Sequence, residues 1–269
     1  MTNTYGYNRK TLEQDKTIFN AVKRHHDAVA AQGYLVVMTS LVGSQNYDLD
    51  TDNSDIDTFS FIFPSLSDLA LAHEPYAGMF EEKDGHCEIK DIRLALNLLR
   101  KTSPNSVEYF TSKYKIYNPV FESILKEYLD DNTKLWNMIH CNYNHMLCAI
   151  VGMAHQLTKR NMPAGKSFSH ALRLDNMQYH FLNSYNASSV LDMRMGGDRD
   201  IALEAKRDKN TEHDIEYHVM CEEIADRLDA LKEKFKLTEE QERIQQYGLS
   251  LIDSFQWKLF KQYLMETNK

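Results

Sequence analysis

One short stretch holds residue types at spacings that could do chemistry: Gly43-Ser44-Gln45-Asn46-Tyr47-Asp48-Leu49-Asp50-Thr51-Asp52-Asn53-Ser54-Asp55-Ile56-Asp57. A Gly-Ser pair closing an apolar run lets the backbone come close to a phosphate and offers a hydroxyl to donate to one of its oxygens. Asp55 and Asp57 open a second apolar run with period two, Asp-Ile-Asp-Thr-Phe-Ser-Phe-Ile-Phe, so a strand over 55–63 turns both carboxylates to one face. Two like charges side by side repel unless divalent cations neutralise them, and hard oxygen ligands suit Mg²⁺ or Mn²⁺. Two such ions would activate an attacking oxygen and stabilise a departing pyrophosphate, which is the chemistry of nucleotidyl transfer.

Further along the chain stand Glu88-Ile89-Lys90-Asp91-Ile92-Arg93 and Ser103-Pro104-Asn105-Ser106-Val107-Glu108. Together with the Gly-Ser and the Asp-x-Asp ten residues later, these motifs resemble the nucleotidyltransferases of the DNA polymerase β superfamily, in particular their bacterial and phage group. The resemblance covers roughly residues 34–118 and continues more weakly through Lys166 to Arg173. The family's Asn-Pro turn is replaced by Ser103-Pro104-Asn105. The resemblance implies a polymerase-β-like palm, two magnesium ions and a nucleoside triphosphate substrate, ATP among the choices. It implies that Gly43 and Ser44 hold the triphosphate and that Asp55 and Asp57 bind both metals. A third carboxylate, metal ligand or general base, is implied on a neighbouring strand. Glu88 and Asp91 compete for that place; Glu88 is favoured, and Asp91 otherwise caps the helix that follows.

A basic cluster, Lys159, Arg160, Lys166, His170 and Arg173, runs without an acid as far as Leu174. Lys166, His170 and Arg173 are spaced by four and then three, so they share a helix face. In the resembling family a basic helix faces the palm, and Lys166 and Arg173 would offset triphosphate charge while His170 touches nucleotide or phosphate.

Positioning these residues requires particular elements. Periodicity predicts a helix over 10–31, a strand over 34–42, a second over 55–63, a short helix over 65–73 and a short third strand over 88–91 that runs into a helix starting at Ile92. After Asn118 the chain turns to long stretches rich in Leu, Met, Glu, Lys and Gln. These predict helices over 132–159, 166–183, 199–209, 212–235 and 238–266, with Pro119, Pro163 and Gly196-Gly197 as breakers. The expected fold is α+β: a palm domain over 1–117 and an all-helical domain over 118–269 that completes the cleft.

The 269 residues suffice for one large domain or two modest ones, and a 42 % hydrophobic, 26 % charged composition excludes disorder for most of the length. Net charge is −8, which argues against long nucleic acid or an anionic membrane as a general partner unless the basic cluster serves locally. Met1 to Lys10 holds no apolar segment, and no run approaches the roughly 20 residues of a membrane span, so no export and no membrane insertion are expected. Four scattered cysteines suggest reduced thiols and a cytoplasmic setting. The acceptor is left open among a small molecule, a protein side chain and an RNA end.

Several look-alikes fail. The acidic run Asp48, Asp50, Asp52 lacks the Gly and Glu of an EF-hand, having Asn53 and Phe59 instead. Ala164-Gly165-Lys166-Ser167 matches only the tail of a P-loop. Cys141, His145 and Cys148 at helical spacing, with His140, read as a buried helix face rather than zinc ligands. Glu108 and Asn105 read as local capping and turn residues, with a structural role beside the site as the lesser alternative. Two alternatives to the transferase remain: a nucleotide-sensing or partner-binding (antitoxin-like) module, and a ribonuclease of the HEPN type, because Arg207 and His213 resemble that family's Arg-x-x-x-x-x-His signature.

Overall fold

The computed structural model describes residues 12–52, 54–159, 162–193 and 197–267. Arg160 of the basic cluster, Gly196 of the breaker pair, Asn53, the segment Met1 to Lys10 and the start of the first predicted helix lie outside the described residues.

Two runs of β-branched and aromatic residues form the centre of the sheet. Strands β1 (Leu35–Val42) and β2 (Asp57–Phe63) are buried on both faces, as near-continuous apolar runs require. Helix α1 (Leu12–Ala31) precedes them and covers one face through Ile18, Val22 and Val29. After β2 come a short helix α2 (Leu66–Ala70) and an antiparallel pair, β3 (Ala77–Glu82) and β4 (Gly85–Asp91), of which β4 pairs parallel to β2. Helices α3 (Ile92–Lys101) and α4 (Pro104–Thr111) then cover the second face through Ile92, Leu96, Val107 and Phe110, and β5 (Lys115–Tyr117) closes the other edge. The sheet order is β3-β4-β2-β1-β5, mixed in direction.

The remainder is helical: α5 (Glu122–Leu125) with a π turn over Lys126–Asp130, α6 (Asn132–Ile139), α7 (Tyr143–Leu157), α8 (Ala164–Asn183), α9 (Asp198–Arg207), α10 (Asp214–Lys234) and α11 (Glu239–Thr267). The division expected at residue 118 falls immediately after β5. One hydrophobic cluster extends from the sheet into this half. Tyr263 of α11 stacks on Phe63 of β2 at 4.4 Å and donates to the Pro64 carbonyl at 2.8 Å. Among the described residues, no helix is long and apolar enough to cross a membrane.

Three expectations need correction. The strand expected from Asp55 begins at Asp57, because Ile56 N–H leaves the β1 ladder and donates to the Asp84 carbonyl at 2.8 Å. Strand periodicity therefore does not place Asp55, which lies exposed in the preceding loop. The helix expected over 132–159 is two helices, since Asn142 accepts from His145 N–H and starts a new one. The segment read as a turn around Asn105 is helix α4, started by Pro104 and by a reciprocal cap between Ser103 and Ser106. Strands β3 and β5 were not anticipated. The first is an edge strand of weak β-formers and the second has three residues, so both depend on partners supplied by the sheet.

Candidate active site

The antiparallel β1–β2 register ends with Val42 opposite Asp57, so Gly43 turns away next to that carboxylate. Gly43 has φ 82° and ψ −160°, a conformation that is essentially glycine's alone. A Cβ here would stand 3.6 Å from Asp57 Oδ2, between the turn and the carboxylate. Ser44 opens the 3-10 turn Ser44–Tyr47 that follows.

The parallel β2–β4 register sets Phe59 beside Glu88. Asp57 and Phe59 share a face of β2, and His86, Glu88 and Lys90 share the adjoining face of β4. Asp57 Oδ1 lies 2.8 Å from His86 Nδ1 and accepts the His86 main-chain N–H at 3.3 Å. Glu88 Oε2 accepts the Tyr109 hydroxyl at 2.8 Å, and its Oε1 pairs with Lys90. The Tyr109 ring lies parallel on Phe59, centroids 3.8 Å apart, and burial pushes its phenol well up, with Glu88 adding to the effect. Asp91 has a different task. It is fully buried, caps α3 by accepting Arg93 N–H at 2.8 Å, and is chelated by the Arg93 guanidinium at 2.6–3.1 Å.

Helix α4 supplies a second carboxylate. Glu108 is buried, and its Oε1 accepts Gly43 N–H at 2.5 Å and Asn46 Nδ2 at 3.3 Å. Arg173 on α8 lies 3.9 Å from Glu108 Oε2 and 4.7 Å above the Tyr47 ring. Burial raises the Glu108 carboxyl above its ordinary value, opposed by Arg173 and by the hydrogen bonds from Gly43, Asn46 and Tyr47. Glu108 thus braces the Gly-Ser turn, a longer-range task than the local capping expected of it.

Of the basic face, Arg173 is nearly buried against Glu108 and Tyr47, His170 is half-buried and Lys166 is exposed at the start of α8. Lys166 adjoins Lys206 of α9, whose Nζ donates to the Leu49 carbonyl at 2.6 Å in the Gly43–Asp57 connection. Sequence reasoning missed His86, Tyr109 and Lys206. The alternation His86, Glu88, Lys90 carried a signal for the first; Tyr109 and Lys206 carried none.

The face of Cys141, His145 and Cys148, expected to be buried, is buried only at Cys141, because α7 turns His145 and Cys148 to solvent. His140 is buried between the Trp136 and Phe181 rings, Cys141 contacts Thr102, and Cys148 is exposed. Gly165 of the P-loop imitation is a close-packing glycine: a Cβ would lie 2.0 Å from the Ala205 carbonyl on α9. Arg207 and His213 line one cleft of about 690 Å³, where His213 Nδ1 lies 2.6 Å from Asp208 and Tyr217 donates to the same carboxylate at 2.9 Å. Clefts of about 770 and 750 Å³ border Lys115 and the Tyr47–Asp48 turn respectively; neither is lined by Asp57 or Glu88. Among the described residues, no three His, Cys, Asp or Glu side chains converge as a preformed metal cage. Neither protein-family models nor curated proteins give a match to this chain.

Proposed function

We propose that the chain is a metal-dependent nucleotidyltransferase that moves a nucleoside monophosphate from a nucleoside triphosphate to a hydroxyl-type acceptor. The observation that carries this reading is the close approach of the Gly43 turn, in a glycine-only conformation, to Asp57 at the end of the β1–β2 ladder, with Glu88 two residues along on the same face of the sheet. The resemblance of residues 34–118 to the polymerase β superfamily adds to it, as does the α+β architecture with a helical second half.

In this reading the Gly43 turn admits the triphosphate close to the backbone, braced from beneath by Glu108. Asp57 and Glu88, with Asp55 from the preceding loop, are hard oxygen donors of the kind Mg²⁺ or Mn²⁺ takes, so the donor chemistry fits the group. Bound there, the ions would supply charge neutralisation and polarisation of phosphate oxygens. His86 and Lys90, which now pair with Asp57 and Glu88, keep two like charges tolerable on one sheet face. Glu88 is the group proposed to take the acceptor hydroxyl's proton as its oxygen attacks the α-phosphorus. The bond from the α-phosphorus to the bridging oxygen breaks, and pyrophosphate leaves with that electron pair. Arg173 and Lys166 face the loop from α8 and offset phosphate charge.

The same pairing of both carboxylates favours one second reading, a nucleotide-sensing or partner-binding module without turnover. Incubation with each nucleoside triphosphate labelled at the α-phosphate, with Mg²⁺ or Mn²⁺ and cell lysate as acceptor source, separates the two. Labelled product that disappears in Asp57→Asn supports the transferase, and its sensitivity to protease or nuclease identifies the acceptor class. Nucleotide binding with no transfer under either metal overturns the transferase and leaves the sensor.

A further inference from the structure

Asp55 and Asp57 flank Ile56, whose main-chain N–H donates to the Asp84 carbonyl at 2.8 Å in the turn between β3 and β4. Gly85, the next residue of that turn, packs so closely that a Cβ on it would strike the Ile56 carbonyl oxygen. On the other side of Asp57 the strand turns Thr58 to the opposite face, where it is fully buried. Thr58 Oγ1 lies 2.8 Å from Nδ1 of His25 on α1, and the other ring nitrogen, Nε2, lies 3.3 Å from Asp84 Oδ1. A carboxylate only accepts, so Nε2 donates to Asp84 and Nδ1 meets the Thr58 hydroxyl. One imidazole therefore joins the residue after Asp57 to the residue that holds Ile56. His25 is fully buried, and its exposed neighbour Arg24 pairs with the same Asp84 carboxylate. Elsewhere α1 meets the sheet through Ile18, Val22 and Val29. An apolar side chain at position 25 would be buried there without the desolvation cost of a polar ring. What the imidazole adds is a fixed geometry between three chain segments.

We infer that His25 and Asp84 are positioning residues that set the Asp55–Ile56–Asp57 segment for a divalent cation. This rests on the proposed function for Asp57 as a metal ligand, whereas the clamp itself is made of residues which that function does not use.

The test is titration of the full chain with Mn²⁺ alone, read by the loss of free-ion signal in electron paramagnetic resonance, comparing wild type with Asp57→Asn, His25→Leu and Asp84→Ala. Circular dichroism fixes a temperature at which each variant is folded. Should His25→Leu not fold, Asp84→Ala, at a partly exposed carboxylate, decides. Both variants are expected to weaken Mn²⁺ binding by about tenfold or more, the scale on which groups that orient metal ligands act. A merely structural role lowers the melting temperature and leaves Mn²⁺ affinity untouched in the folded variants. That result, with binding lost in Asp57→Asn, overturns the inference and spares the metal site. Wild type that takes up no Mn²⁺, or Asp57→Asn that takes it up as wild type does, overturns the metal reading of Asp57 and the inference with it.

Discussion

The main-chain N–H of Gly43 donates to Oε1 of Glu108 at 2.5 Å, a bond spanning 65 residues that ties the turn after β1 to the middle of α4. The carboxylate is buried, and the same oxygen also accepts from Asn46 at 3.3 Å, so one side chain supports both ends of the Gly43–Asn46 turn. Removing it in Glu108→Ala leaves Gly43 N–H and the nearly buried Arg173 guanidinium without this partner, and is expected to cost about 2–4 kcal/mol in chemical denaturation. Glu108→Gln keeps an acceptor for Gly43. Because burial raises the folded carboxyl above its unfolded value of 4.5, wild type holds a proton that the unfolded chain has released as pH climbs from there. Its stability contribution is complete below that unfolded value and falls as pH rises through the folded one. Glu108→Gln should therefore gain relative to wild type across that rise, as urea midpoints over a pH series will read.

Gly43→Ala places a side chain where φ is 82° and ψ −160°. The room exists, since the nearest atom is 3.6 Å away, so the cost is conformational and about 1–3 kcal/mol. Thermal melting reads that loss, and nucleotide transfer is expected to fall further than stability because the new methyl faces Asp57 Oδ2.

On the transferase reading Asp57→Asn abolishes transfer, and Glu88→Gln lowers kcat by about 100- to 10,000-fold, the range of a lost general base. Both variants keep a hydrogen-bonding amide for His86 and Tyr109 and should melt near wild type. Single-turnover kinetics checks the first expectation and circular dichroism the second; full activity in either variant removes that residue from the site.

His140 lies between two aromatic rings, with Nδ1 2.7 Å from the Trp136 carbonyl and Nε2 2.8 Å from the Phe181 carbonyl. A neutral ring donates to only one of them. Burial nevertheless dominates and pushes the imidazole down to about 4 from its ordinary 6.5. The unfolded chain then binds the proton first, so the contribution is complete above pH 6.5 and is lost as pH falls toward 4. The loss amounts to about 3 kcal/mol over that interval. His140→Phe should flatten that part of the stability curve, measurable as the change in urea midpoint between pH 7 and pH 4.5.

Gly165→Ala would set a methyl 2.0 Å from the Ala205 carbonyl, which forces α8 and α9 apart. A cost of about 1–3 kcal/mol is expected in thermal or urea unfolding.

Local patterning was sufficient for part of this molecule. Apolar runs with a Gly-Ser break showed β1 and the turn, period-two alternation showed β2, and helical periodicity showed the second half, since each pattern is written within a few consecutive residues. The face shared by Lys166, His170 and Arg173 follows from spacing alone, as does the competition between Glu88 and Asp91. The different surroundings of the two came from the tertiary structure, whose parallel register puts Glu88 beside Phe59 while Asp91 caps α3. Tertiary structure alone brought Glu108 to Gly43, His86 to Asp57, Tyr109 to Glu88 and Lys206 to Leu49. Asp55 shows the same limit from the other side: alternation put it on β2, and a main-chain bond from Ile56 to Asp84 took it off. Periodicity reports which face a residue occupies on its own element, whereas a site is made by the register and packing between elements, and those are decided by bonds between residues that stand far apart in the chain.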